Sequence, residues 1–159
     1  MQVDLSSVPV ESGTNYPDAF KSVVAGRHRQ RVGNAAGLKN FGVTLTTLDP
    51  GAQSALRHWH TAQNEFIYMV RGELVLVTDE GERTLRVGDM AGFAAGRANG
   101  HHLINRSDQP AVYLEVGDSL GRLRHRTTLD SVDYPDVDLI CVPTADGQRQ
   151  FARKDGTAY

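Results

Sequence analysis

Cysteine is nearly absent: Cys141 is the single one among 159 residues, so neither an internal disulfide nor a thiolate zinc site can form. Within Asp-Leu-Ile-Cys-Val-Pro it reads as a small buried hydrophobe on a strand rather than as a nucleophile. Long apolar runs are missing too. No stretch approaches the roughly 18 uninterrupted apolar residues of a membrane-spanning helix, and the start, Met-Gln-Val-Asp-Leu-Ser-Ser, lacks a positive segment followed by an apolar one. The expectation is a cytoplasmic protein without a membrane partner. Nor is there a surplus of charge of one sign. Lys+Arg number 17 against 19 Asp+Glu, a net −2, without the clustered basic charge on which nucleic-acid affinity rests. Helical periodicity is scarce, and no repeat or low-complexity tract calls for a second domain.

What the sequence does contain is enough apolar material for one core, 40% hydrophobic against 23% charged residues. Sixteen glycines punctuate short runs of β-branched and aromatic residues, the pattern of an all-β sandwich or barrel. Strands are expected at 41–48, 54–60, 65–70, 73–78, 83–87, 101–105, 111–116 and 123–127, with a further one at 137–142 and a turn at Asp146-Gly147. In the first of these, Phe41, Val43 and Leu45 share a face, and Asp49-Pro50-Gly51 ends the run as a turn in which Pro presets φ and Gly accepts φ > 0. The runs are short and their turn signals closely spaced, which favours antiparallel neighbours over crossover helices. Residues 1–20 read as an arm that packs across the barrel or reaches a partner subunit, 21–127 as the barrel, and 128–159 as an extension packed on it.

Two of the six histidines alternate in His58-Trp59-His60, so on a strand both imidazoles leave one face. Glu65 opens the next run after a four-residue connection, short enough to make it an antiparallel neighbour and bring a carboxylate beside the pair. A further ligand is available from His101-His102-Leu103-Ile104-Asn105, of which His101 or His102 faces inward, not both. Three imidazoles and a carboxylate fill about four of six positions around a divalent transition metal and leave room for water or substrate. Fe, Mn, Ni, Co, Cu and Zn all suit such a set, whereas Ca and Mg want more oxygen ligands.

The glycine frame carries a resemblance. Gly51, six residues, His58-Trp59-His60, four residues, Glu65, six residues, Gly72, then Gly88, seven residues, Gly96, four residues, His101, three residues, Asn105 resembles the paired motifs of the cupin superfamily. The chain departs from those motifs at Ala94, where proline is usual, and in a longer loop between Gly96 and His101. The rest is similar, more loosely, to small bacterial single-cupin proteins, some of them sugar-phosphate isomerase-like. The resemblance implies a double-stranded β-helix (jelly-roll) barrel, often a homodimer, with one metal on His58, His60, Glu65 and His101. His101 is preferred because its gap to Asn105 keeps the family spacing; a bulge at Asn99-Gly100 would pass the role to His102.

Tyr113 and Glu115 share a strand face opposite to Val112, Leu114 and Val116, and whichever set points inward lines the cavity; Tyr113, Glu115 and Asn105 are the candidates for substrate binding, and the first two for proton transfer. Arg27-His28-Arg29 and Arg124-His125-Arg126 read as solvated strand edges, and the alternating Arg122, Arg124 and Arg126 likewise. The expected function is metal-dependent isomerisation or elimination on a small sugar-like or hydroxy-carbonyl substrate. A dioxygenase and a non-catalytic binding or sensing module are the alternatives, since one fold hosts all three.

Overall fold

Alternation of apolar and polar residues, punctuated by turns, yields strands nearly throughout the computed structural model, which describes residues 2–118, 130–144 and 148–159. The strand expected at 123–127, the alternating Arg122, Arg124 and Arg126, His125 and the Asp146-Gly147 turn lie outside the described residues. In chain order the strands are β1 (Arg27–Gln30), β2 (Phe41–Leu48), β3 (Trp59–His60), β4 (Glu65–Arg71), β5 (Glu73–Thr78) and β6 (Gly81–Arg86). They continue with β7 (Met90–Phe93), β8 (His102–Ile104), β9 (Ala111–Asp118), β10 (Val132–Tyr134), β11 (Leu139–Pro143) and β12 (Arg149–Ala152); two 3-10 helices, Leu5–Ser7 and Asp18–Val24, precede β1, and a short α-helix, α1 (Val32–Ala35), follows it.

The strands form a five-stranded sheet, β1-β2-β9-β4-β7, and two smaller ones, β12-β11-β10-β3 and β6-β5-β8. Isolated bridges His58↔His101 and Gln53↔Ile104 splice the smaller sheets side by side. Leu48, Ile67, Met69 and Tyr113 of the large sheet pack against Leu74, Leu76, Leu85 and Leu103 in one buried cluster, the double-stranded β-helix that the glycine frame implied. Leu48, Met69 and Leu74 are wholly buried, each stabilising the fold by about 1.5–3 kcal/mol. The corner between β4 and β5 requires glycine. Gly72 has φ +74°, and a Cβ there would lie 3.0 Å from that of Ala111.

The expectation for 54–65 needs correction. The run at 54–60 is a regular strand only over Trp59–His60, and β3 pairs with β10, not with β4. Thr61–64 therefore crosses from one sheet to the other instead of closing a hairpin, and Glu65 reaches the histidines from the opposite wall. Phe41, Val43 and Leu45 share a face as expected; it is the outer one, and Thr46 and Leu48, in register with Tyr113 and Ala111, point inward.

Residues from both ends of the sequence build a second core. Tyr16 and Val24 pack with Val132, Tyr134, Leu139 and Cys141, so the N-terminal arm lies across the barrel, where Glu11 bridges Arg29. Cys141 is buried, and burial pushes its thiol pKa up, in keeping with a packing role.

Candidate metal centre

His58 and His101 exchange backbone hydrogen bonds, His58 N–H to the His101 carbonyl at 3.2 Å and the reverse at 2.8 Å. Residues directly opposite in an antiparallel bridge send their side chains to the same face, and their ring centroids lie 5.0 Å apart. Two residues on, His60 returns to that face at 5.2 Å from His58. From the other sheet, Glu65 Oε2 lies 3.8 Å from His58 Nε2, 3.5 Å from His60 Nε2 and 3.1 Å from His101 Nε2. Three imidazole nitrogens thus surround one carboxylate oxygen. His58, His60 and Glu65 each offer a ligand atom within 4.8 Å of the others, and His101, not His102, stands beside them. The side chain of His102 instead turns to the Ala55 carbonyl at 3.1 Å.

The donor chemistry fits a divalent metal. His58 Nδ1 donates to the Leu56 carbonyl at 2.8 Å, and burial, with the neighbouring imidazoles opposing the pull of Glu65, lowers its pKa to about 4. The ring is neutral at pH 7 with Nε2 free to ligate. Burial would raise the Glu65 carboxyl, but the hydrogen bond from His101 and the surrounding imidazoles outweigh it and hold the pKa down at about 2. His60 Nδ1 meets Asp130 Oδ2 at 2.6 Å, the carboxylate that orients a ligating histidine. Asp130 also accepts from the Ala62 and Gln63 amides at 2.9 and 3.2 Å and from Arg149 at 2.8 Å, fixing the crossing segment that delivers Glu65. His101 stacks on Phe93, centroids 3.5 Å apart, and its buried Nδ1 has no partner among the described residues.

The cluster stands between two openings. One, of about 210 Å³, is lined by Trp59, Phe93, Arg97 and Asn99, with Arg97 and Asn99 tied to Glu80 at 3.2 Å. The other, a cavity of about 260 Å³, holds Tyr16, Arg27, Arg29, Tyr113, Glu115 and Tyr134 along with the ligand set. Tyr113 and Glu115 therefore face inward. Burial, reinforced by the Glu65 charge and eased by Arg29 and Arg27, pushes the Glu115 carboxyl up to about 7. The Tyr113 hydroxyl is raised by the same burial.

Asn105 is not at the cavity. It is fully buried, its Nδ2 donating to the Leu48 and Gln109 carbonyls, both at 2.8 Å, and its Oδ1 accepting from the Ser107 amide and hydroxyl at 3.0 and 2.7 Å. With every amide valence used, it pins a turn and offers nothing to a substrate. Asn105→Ala is expected to cost about 2–4 kcal/mol by stranding these groups, measured by urea unfolding, while metal content per folded protein stays at the wild-type value.

Sequence reasoning missed Asp130, Arg27 and Arg29. Asp130 meets His60 across 70 positions with no local motif to announce it. Arginine is rarely buried, so Arg27-His28-Arg29 read as an edge. Only His28 faces out, between Ser12 and Asp49 at 2.8 Å each.

The Cupin domain family matches residues 44–117. A structure described as a sugar phosphate isomerase from a cupin superfamily, from Silicibacter pomeroyi, is 42% identical with a TM-score of 0.91, covering 100% of this chain and 96% of that one. A protein of Acidithiobacillus ferrooxidans proposed to be a sugar phosphate isomerase is 25% identical, TM-score 0.70, over 84% of this chain and 80% of that one. The oxalate decarboxylase OxdC of Bacillus subtilis is 35% identical over 83 residues, 49% of this chain but 21% of the enzyme, so this chain spans about a fifth of that relative's length. Matched motifs, barrel and near full-length likeness agree, and the chain belongs to the cupin superfamily.

Proposed function

We propose that the protein is a metal-dependent enzyme that isomerises, or eliminates water from, a small hydroxy-carbonyl substrate of sugar type. The observation that carries the reading is the position of Glu115, which lines the same cavity as His58, His60, Glu65 and His101 and whose carboxyl is pushed up to about 7 by burial. A divalent transition metal (Fe, Mn, Ni, Co, Cu or Zn) on those four residues would supply Lewis-acid polarisation of the substrate carbonyl. Glu115 then takes the proton from the carbon beside the carbonyl. For isomerisation its carboxyl returns that proton to the former carbonyl carbon, while a hydroxyl proton passes between the two oxygens; for elimination the same carboxyl gives the proton to the β-hydroxyl, whose C–O bond breaks as the carbon–carbon double bond forms, and water leaves. Tyr134 and Phe93 flank the imidazoles, Tyr134 at 5.8 Å from the His58 ring, and keep the reacting end apolar. The Silicibacter relative's description supports the substrate class.

The test is solvent exchange. Metal-loaded protein in deuterium oxide under nitrogen is expected to wash deuterium into the carbon beside the carbonyl of an accepted ketose or aldose phosphate, read by NMR. Exchange or turnover that requires oxygen would move the reading to a dioxygenase, and saturable binding with no exchange would move it to a binding module.

The same reading places the chain in the cytoplasm, in keeping with its one buried cysteine, and as a homodimer. The outer face of the large sheet supports the dimer: Phe66 shares a row with Val116 and Val43, and Tyr68 with Met90, Leu114 and Leu45, an exposed apolar surface of the kind that pairs.

A further inference from the structure

β1 is an edge strand, and its register with β2 sets Arg27 opposite Leu48 and Arg29 opposite Thr46. Leu48 and Thr46 are wholly buried, so the paired arginines are sent inward as well, and both line the 260 Å³ cavity that holds the metal-site histidines. Arg27 is 7% exposed. Among the described residues its only side-chain hydrogen bond runs from one terminal nitrogen to the Ser54 carbonyl. Arg29 gives one terminal nitrogen to the Gly13 carbonyl at 3.2 Å, and its buried Nε has no partner among the described residues.

A guanidinium carries five N–H donors, so most of the donors on this pair are unspent. No carboxylate lies within 4.0 Å of either arginine among the described residues; Glu115, on the same cavity wall, makes no ion pair with them. Two like charges two residues apart, Arg27 buried and Arg29 partly so with its Nε out of contact with water, are costly to keep. Burial and Arg29 accordingly push the Arg27 pKa down. A counter-charge brought in by a ligand removes that cost.

We infer that Arg27 and Arg29 form an oxyanion subsite that takes the phosphate monoester group of the substrate. Two guanidiniums match a dianion in charge, and their planar forks match phosphate oxygens in geometry; a carboxylate would neutralise only one of them. Because the arginines and the imidazoles line one cavity, a single small molecule spans both, with its anionic end on β1 and its hydroxy-carbonyl end toward His58, His60 and His101. The inference deepens the function proposed above and shares its cavity, yet it is testable without turnover.

Protein stripped of metal and dialysed free of chelator is titrated with inorganic phosphate, and separately with acetate, at pH 7.5 and constant ionic strength, by calorimetry. Wild type is expected to bind one phosphate per chain, at least tenfold tighter than acetate. Arg29→Gln and Arg27→Gln are each expected to weaken phosphate at least tenfold, and Arg29→Lys to weaken it less than Arg29→Gln; circular dichroism certifies that each variant is folded. Phosphate affinity unchanged in a folded Arg29→Gln protein overturns the subsite, and so does acetate binding as tightly as phosphate in wild type. Since no metal or substrate is present, phosphate binding without later turnover would sink only the proposed reaction, whereas turnover without phosphate binding would sink only the subsite.

Discussion

His60→Ala is expected to purify with less than a tenth of the wild-type metal, measured by plasma mass spectrometry, while keeping the far-ultraviolet dichroism of a folded barrel. His60 is the imidazole with the most elaborate support: its Nε2 lies 3.5 Å from Glu65 Oε2 and its Nδ1 meets Asp130 at 2.6 Å. Losing it removes one of the four proposed ligands and, among the described residues, the only ring that meets the Asp130 carboxylate. The fold survives because Asp130 keeps Arg149 and two backbone amides, so no buried charge is stranded. Added metal stabilises only a state that binds it; the wild-type melting temperature should therefore climb with Mn or Zn, and that of His60→Ala should not. Asp130→Asn provides the graded companion, one equivalent still bound but about 10–100-fold more weakly. A full equivalent retained by His60→Ala would overthrow the ligand assignment.

The second large effect belongs to Glu115. Glu115→Gln is expected to slow proton exchange by about 10²–10⁴ with metal content unaltered, a split that a purely structural residue would not produce. The groups facing this carboxyl are Glu65 on β4, Arg29 and Arg27 on β1, His60 on β3 and Tyr113 on its own strand. Burial leads, and lifts its pKa from 4.5 to about 7. Activity that needs the carboxylate should rise with pH along a limb centred near 7.

Stability runs the opposite way. A group whose pKa is raised on folding favours the native state most below its unfolded value, here pH 4.5, and loses that contribution as pH climbs through about 7. At about 1.4 kcal/mol per pH unit, the loss by pH 8 is at most about 3 kcal/mol. Glu115→Gln cannot titrate. In metal-free protein its stability relative to wild type should therefore increase between pH 5 and pH 8, followed by urea unfolding at each pH. A pH-independent difference would remove the buried-carboxyl account.

The convergence of His58, His60, Glu65 and His101 was legible in the sequence because strand alternation and a glycine frame are local signals. His58 and His60 had to share a face, and β2 and β5 run over the residues expected of them. The route by which Glu65 arrives was not legible. A four-residue connection suits a hairpin, but the edge that β3 would offer is taken by β10, and amides on Asp130 turn the connection across the barrel. Both partners lie some seventy positions away. β7, Met-Ala-Gly-Phe, carries no β-branched residue to mark it as a strand. Arg27 and Arg29 were misread for a different reason: charge ordinarily marks solvent, and only the register against Leu48 and Thr46 reverses that rule.

The tie between His60 and Asp130, 70 positions apart, also bears on biogenesis. A nascent chain that has just emerged through its histidine motifs still lacks the carboxylate that orients one imidazole and the strand that flanks it. The imidazole reaches its final orientation only once residues 130–134 have docked beside it, so the cluster is completed by long-range contacts and not by the histidine motif alone.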